Sequence, residues 1–245
     1  MHDLETLENL LSDRTVWRGY DRHITQKTLS TGHHELDILL KGGWPEATLI
    51  EMVCHQEGIG ELRLLTPILA NHTQAERLCI LLNPPYQPYA PSWAEAKIDL
   101  RQVLIVQSRQ HNEWLWAAET AIRGGALLLA WVNQYIPHYS ELRKLKLAAA
   151  GNNQSVFLFN KVDSLSLSSP ASLRLETSSS TLHELTITVR KSKGGHVGEK
   201  LNIRQIETHT QRIPFSQLIA PICHPVAKKD FSYKCSDDIA RFINT

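Results

Sequence analysis

Residues 47–65, with the sequence ATLIEMVCHQEGIGELRLL, decide the fold expected for this chain. The apolar run 47–53 predicts a strand, and residues 60–73 predict a helix because their leucines recur three and four positions apart. A glycine loop separates the two. Proteins bind phosphate groups at such loops, where a strand leads into the N-terminus of a helix. The first question is therefore whether this loop binds a nucleotide.

The loop departs from the phosphate-binding loop of nucleotide hydrolases at three of its four defining positions. In that loop two glycines let backbone N–H groups surround the phosphates, a lysine reaches them, and a hydroxyl holds magnesium. Gly60 keeps the second glycine position and Gly58 lies inside the loop, but the first glycine, the lysine and the hydroxyl are replaced by His55, Glu61 and Leu62. A charge pair about 4 Å apart, at an effective dielectric of about 20, is worth about 4 kcal/mol, and a glutamate reverses its sign. We expect a degenerate nucleotide loop with no cofactor and no ATPase activity.

The magnesium-binding carboxylate of such proteins is also absent from its expected place. It stands at the end of a later apolar strand, which here is the run 126–132. That run is followed by Asn133, with no aspartate or glutamate at the strand end. Both departures support the expectation of a non-catalytic protein.

Short apolar runs alternate with amphipathic segments from residue 29 to residue 160, which predicts a parallel sheet joined by crossover helices. The predicted later strands are 77–83, 102–107, 126–132 and 155–160, and the predicted helices between them are 91–99, 111–123 and 137–150. Three segments then alternate polar and apolar residues, which predicts antiparallel strands with one wet face. They are 171–179, 183–193 and 199–206. The sequence thus predicts an α/β core over residues 29–206 with an antiparallel C-terminal extension of the sheet.

Two flanking segments are expected to lie outside this core. Residues 1–28 form an arm that begins with a short amphipathic helix, and residues 207–245 form a tail with apolar residues but no clear period. Exposed apolar groups of this kind mark interaction sites, although both segments have the alternative of folding back on their own domain. The candidate partner-binding residues are Leu4, Leu7, Leu11, Trp17, Arg18, Phe215 and Phe231.

The segment 189–204 is the most basic part of the chain, with five lysines and arginines against one glutamate, whereas the whole chain has a net charge of +1. One interpretation is contact with DNA phosphates or an acidic partner surface. The other is a solvated edge hairpin whose lysines prevent aggregation. The candidate contact residues are Arg190, Lys191, Lys193, Lys200 and Arg204.

An aromatic cluster offers a second candidate contact with single-stranded bases, on which aromatic rings stack. Its members are Trp114, Trp116, Trp131, Tyr135 and Tyr139. Trp114 and Trp116 are two positions apart on a predicted helix, so they cannot face the same way. Burial in the core or an interface is the competing interpretation for most of the cluster.

Bulk composition excludes several classes of protein. The chain has 245 residues and 42% hydrophobic residues, and its four cysteines form no C-x-x-C pair. The N-terminus lacks the basic region of a signal peptide, and the run 126–132 is far too short to span a membrane. The cysteines and histidines show no metal-ligand spacing. We expect a soluble cytoplasmic protein without a metal or a membrane contact.

The segment 29–65 resembles the opening of the RecA recombinase core, in which Ser-Thr-Gly, Leu-Asp and Gly-Gly precede the strand that enters the nucleotide loop. More specific are the motifs VWRG at 16–19, GGWP at 42–45 and GIGELRLL at 58–65, which resemble the ImuA family. That family comprises RecA-like accessory proteins of bacterial damage-induced mutagenesis. The resemblance extends over most of residues 4–206.

This resemblance implies a RecA-like, mostly parallel sheet and a non-catalytic role in SOS-induced translesion DNA synthesis. The implied partner is an ImuB-like subunit related to Y-family polymerases and, indirectly, a C-family error-prone polymerase. RecA and DNA are further candidate contacts, with DNA binding expected to be weak. One alternative is a SulA-type cell-division inhibitor that binds FtsZ, although such chains are shorter. Another is a DNA-dependent ATPase with an unorthodox site.

Overall fold

A computed structural model describes residues 27–132, 135–181, 184–192 and 197–204 of the chain. They form a mixed α/β fold with helices on both faces of a large sheet, as the sequence predicts. The strands are β1 (Thr28–Leu29), β2 (Trp44–Pro45), β3 (Leu49–Cys54), β4 (Cys79–Leu82), β5 (Val103–Val106), β6 (Leu127–Trp131), β7 (Val156–Lys161), β8 (Leu173–Thr181), β9 (Glu184–Ser192) and β10 (Lys200–Arg204). The α-helices are α1 (His34–Leu39), α2 (Thr66–Gln74), α3 (Ala90–Glu95), α4 (His111–Arg123) and α5 (Tyr139–Gly151).

The eight-stranded sheet has the order β10-β9-β8-β3-β7-β6-β4-β5, and β1 pairs separately with β2. The six strands from β8 to β5 are parallel to one another, and the pairs β8–β9 and β9–β10 are antiparallel, so that only β9 runs opposite to the other strands of this sheet. Strand β8 pairs antiparallel with β9 and parallel with β3, so the predicted antiparallel extension is confirmed for the pairs β8–β9 and β9–β10, whereas the parallel pairing of β8 with β3 was not predicted. The chain between β7 and β8 returns to the end of the sheet at which the parallel strands begin. Strand β8 therefore runs in the same direction as β3.

Residues 173–177 of strand β8 also lack the wet face that the alternating sequence predicts, since all five are buried. Arg174 and Glu176 are both buried, and each carries a partner of opposite charge. Charged side chains are seldom fully buried unless they are paired in this way. Alternation therefore reflects paired charges in this strand, and not solvent exposure.

Two apolar clusters cover opposite faces of the sheet. The first includes side chains from α1 and α2 and contains Trp44, whose ring meets Phe157 edge-on at 5.3 Å. The second includes side chains from α4 and α5. On α4, Trp114 is buried whereas Trp116 is 60% exposed, which confirms that the two rings face different ways.

The segment that precedes the sheet is held in place by the carboxylate of Asp37, which lies inside α1. Helix α1 begins after His33, which is its N-cap residue. Asp37 accepts hydrogen bonds from the Thr31 N–H and the Ser30 hydroxyl, both at 2.7 Å. Gly43 follows with a φ of +115°, and a Cβ there would lie 2.1 Å from the Leu29 carbonyl oxygen. Only glycine fits at that position.

A buried histidine is expected to make the fold sensitive to mild acid. Burial, and next the charge of Arg77, lower the pKa of His72 from 6.5 to about 4, although the ring keeps a contact with the Leu78 carbonyl oxygen. The unfolded chain then binds this proton first, so stability is complete above about pH 6.5 and falls as the pH approaches 4. Between pH 7 and pH 5 the expected loss is about 2 kcal/mol.

Urea unfolding at those two pH values measures this loss. His72→Gln keeps an N–H donor but removes the ionisable ring, so its stability is expected to vary less over the same interval. An equal dependence in the variant and the unaltered protein would contradict the assignment.

Among the residues that the structure describes, no helix combines the length and hydropathy needed to cross a bilayer.

Candidate functional site

The glycine loop leaves the end of β3 and turns into a short 3-10 segment, Glu61–Leu65, before α2 begins. Gly58 and Gly60 have φ angles of +77° and +97°, which side chains with a Cβ rarely adopt. A Cβ on Gly58 would meet no atom within 4 Å, so the backbone angle, and not space, is what requires glycine there. The predicted helix over 60–73 thus starts with a tighter turn than expected.

The side chain of Glu61 folds into this loop. It is 4% exposed, and its Oε1 accepts a hydrogen bond of 3.1 Å from the Gly58 N–H. Its Oε2 is buried and has no hydrogen-bond partner among the described residues. In a phosphate-binding loop the backbone N–H groups bind phosphate oxygens. Here one of them binds the chain's own carboxylate, so the loop is closed by an internal anion.

The other two replaced positions also have defined partners. Leu62 is partly buried and packs against the first apolar cluster, which leaves it no role near a ligand. His55 lies at the mouth of the loop, with its Nε2 2.6 Å from Glu176 Oε1 on β8. Both positions therefore serve the fold.

Glu176 links the loop to the basic hairpin. Its second oxygen accepts from the Nε–H of Arg190, while its first faces His55. Burial raises the pKa of Glu176, but the hydrogen bonds from Arg190 and His55 outweigh it and hold that pKa below its usual value. Two sites that the sequence predicted separately thus meet at one ionised carboxylate.

Two other cations of the hairpin, Lys191 and Arg204, also have partners. Lys191 donates to the Ser169 carbonyl oxygen at 2.6 Å, and Arg204 lies 3.8 Å from Glu184 Oε1. Lys200 is exposed on β10. An open groove of about 660 Å³ is lined by basic side chains and by residues 165–169, which belong to the serine-rich segment before β8.

A buried ion pair at the centre of the sheet was not expected from the sequence. Glu51 on β3 is 1% exposed and accepts from Arg174 at 2.8 and 3.2 Å and also from the Asn160 amide. Arg174 donates further to the Ser164 and Leu167 carbonyl oxygens. The one available signal was a glutamate inside an otherwise apolar strand.

The described residues contain no group of three or more histidine, cysteine or acidic side chains that could hold a metal ion. Burial raises the pKa values of Cys54 and Cys79 to about 12, which keeps both thiols protonated. Asn133 lies outside the described residues, as do other predicted site residues, namely Leu4, Leu7, Leu11, Trp17, Arg18, Lys193, Phe215 and Phe231.

Fold and site together define an α/β protein whose phosphate-type loop is occupied by its own glutamate. No family model matches the chain, and no curated protein matches it either.

Proposed function

We propose that this protein is a non-catalytic, RecA-like accessory protein that acts in the cytoplasm in SOS-induced translesion DNA synthesis. The observation that carries the proposal is the Glu61 carboxylate inside the glycine loop. Further support comes from the mostly parallel sheet and from the resemblance of residues 29–65 to the RecA core and the ImuA motifs. A protein of this kind acts through its surfaces and not through a reaction.

A filled loop changes how such a protein works. RecA-like proteins with an intact loop bind a nucleotide, and the turnover of that nucleotide changes the contacts that these proteins make with their partners. In this chain the loop carries a fixed internal anion, so its contacts do not depend on a bound nucleotide. The partner of the proposal is an ImuB-like polymerase subunit, which connects it to a C-family error-prone polymerase, with RecA as a second contact.

A pull-down with an ImuB-like subunit tests this proposal and the role of the tail. The full chain is expected to bind. A chain ending at Gln205 keeps every strand of the sheet, because β10 ends at Arg204, and it is expected to lose the partner. Failure of the full chain to bind contradicts the proposed function. Equal binding by the shortened chain contradicts only the tail assignment and moves the contact to the core.

DNA binding is expected to be weak, sensitive to salt and dependent on the hairpin. If three or four phosphates are contacted, the logarithm of the affinity falls against the logarithm of salt concentration with a slope of about −2 to −4. Replacing Lys191, Lys193 and Lys200 by alanine is expected to flatten this slope. The control variant replaces three exposed lysines elsewhere by alanine, namely Lys27, Lys41 and Lys144. It loses the same amount of positive charge as the hairpin variant. An equal change in both variants favours the solvated-edge interpretation.

A further inference from the structure

A second crevice opens at the carboxyl ends of β4 and β6, away from the glycine loop. From β4 the chain crosses outward to β5, and from β6 it crosses inward to β7, so the direction of crossover reverses between these neighbouring strands. Ligands of open α/β sheets bind at such switch points. The cavity has a volume of about 350 Å³, within the range of small-molecule sites.

A buried amide holds one wall of this cavity in place. Asn83 follows β4 with a φ of +54°, a conformation that asparagine tolerates better than most residues. Its Oδ1 accepts from the Ser108 N–H at 2.7 Å, and its Nδ2 donates to the Ser108 carbonyl oxygen at 3.1 Å. The loop between β5 and α4 is therefore fixed to the end of β4.

The side chain of His111, at the start of α4, lines the cavity and has one nitrogen with a defined partner. Its Nε2 lies 3.1 Å from Glu141 Oε1, and Glu141 Oε2 accepts from the His138 N–H at 2.7 Å. Burial raises the pKa of Glu141, but the hydrogen bonds from His138 and His111 outweigh it and keep the pKa low. An ionised carboxylate only accepts, so Nε2 carries the proton. In the neutral ring Nδ1 is then an acceptor.

Three aromatic residues also line the cavity. Trp114 and Trp131 line the cavity and are immobilised, since the Trp114 indole N–H donates to the Trp131 carbonyl oxygen and the Trp131 ring stacks on Phe159 at 4.4 Å. Tyr135 also lines it, 5.8 Å from the His111 ring, and is 61% exposed. Tyr135 is therefore the ring with a face available for stacking.

The charged side chains around the cavity disfavour a ligand that is recognised only by its negative charge. Arg109 lines the cavity and is exposed. Two carboxylates stand at the same end of the helices, because Glu113 accepts from the Gln110 N–H and Glu141 from His111. One cation does not outweigh both, so phosphate is not the primary determinant.

We propose that this cavity binds a nucleobase, stacked on Tyr135 and hydrogen-bonded along its edge by His111 and the Ser108–Gln110 loop. Sites that take a single base combine aromatic stacking with such polar edges. Arg109 lines the cavity and is exposed, which makes its guanidinium accessible to a sugar-phosphate attached to the base. The base belongs either to a free nucleotide or to a single strand of nucleic acid, and this chemistry is independent of the polymerase partner.

The test is ligand-observed saturation-transfer NMR on the full chain, with adenosine, cytidine, thymidine and ribose 5-phosphate as separate probes. At least one nucleoside is expected to bind, and ribose 5-phosphate is not. Tyr135→Ala is expected to weaken binding at least about fivefold, the lower limit for stacking on one ring. The matched control is Trp116→Ala, since Trp116 is 60% exposed on the same helix as Trp114 but does not line the cavity.

Three results would overturn the proposal: no nucleoside bound, ribose 5-phosphate bound as well as the nucleosides, or an equal loss in both alanine variants. Competition with a single-stranded oligonucleotide then identifies the source of the base. Displacement of the nucleoside, together with weaker oligonucleotide binding by Tyr135→Ala, assigns the site to a nucleic-acid strand. Nucleoside binding that the oligonucleotide leaves unchanged assigns it to a free nucleotide, and both results support base recognition.

Discussion

Replacing Arg174 by methionine is expected to lower the free energy of unfolding by about 3–5 kcal/mol, the usual cost of removing one partner of a buried ion pair. The reason is Glu51, which stays buried in β3 with its charge uncompensated. Three further acceptors, the carbonyl oxygens of Ser164, Leu165 and Leu167, also lose their donor. Urea unfolding at pH 7 measures the change.

A second variant separates the charge from the lost packing. Adding Glu51→Gln to Arg174→Met neutralises the carboxylate but keeps an oxygen for the Asn160 amide. The double variant is expected to be more stable than the single one. Arg123→Met is the control, because the Arg123–Glu119 pair is exposed and such pairs contribute at most about 1 kcal/mol. If Glu51→Gln gives no recovery, the unpaired charge is not what destabilises the single variant.

The sequence indicated one partner of the Glu51–Arg174 ion pair but not the other. A glutamate within the apolar run of β3 indicated a buried carboxylate in need of a partner. The identity of that partner depends on register, because the parallel pairing of β3 with β8 sets Glu51 opposite Arg174, 123 residues away. The sequence predicted 171–179 only as part of an antiparallel extension, and nothing in it indicated the parallel pairing with β3 that sets this register. The ion pair was therefore out of reach from the sequence.

The difference between local patterns and long-range pairing also explains which other parts of the fold could be predicted. Helix α4 has the predicted bounds, 111–123, and the parallel strands lie within one or two residues of their predicted runs, because short apolar runs are a strong local pattern, even in the edge strand β5, whose side chains are partly exposed. Strand direction has no such pattern. In β8 it is set by the path of the preceding connection, and alternating residues report only which side chains share a face.

The candidate site was predictable in composition but not in conformation. A glutamate at the lysine position was readily identified, and it predicted repulsion of a nucleotide. Whether that carboxylate turns away from the loop or into it depends on the φ angles of Gly58 and Gly60, which expose the N–H that Glu61 accepts from. Three lining residues of the cavity beside His111, namely Trp114, Trp131 and Tyr135, were predicted as part of a base-stacking cluster, but the cavity itself was not, since its lining comes from the ends of three strands and the segments that follow them.

No binding of Mg-ATP is expected at millimolar concentration in isothermal titration, and no ATP turnover with or without single-stranded DNA. Two effects act together. The Glu61 carboxylate occupies the Gly58 N–H, and at about 4 Å and an effective dielectric of about 20 it repels a phosphate by about 4 kcal/mol. A micromolar dissociation constant in the unaltered protein would show that the loop is open, and it would favour the ATPase alternative.

Emptying the loop is expected to restore part of the affinity for phosphate groups. Glu61→Ala removes both the occupant and the repulsion, which together amount to as much as about a thousandfold in affinity, so weak millimolar binding of ATP is expected to become measurable. Glu57→Ala is the matched control, because Glu57 is exposed in the same loop and its removal changes the charge equally without vacating the Gly58 N–H. Glu61→Gln removes the charge but keeps an oxygen in the loop. If Gln and Ala bind alike, repulsion alone excludes the nucleotide, and if only Ala binds, occupancy of the loop is the cause.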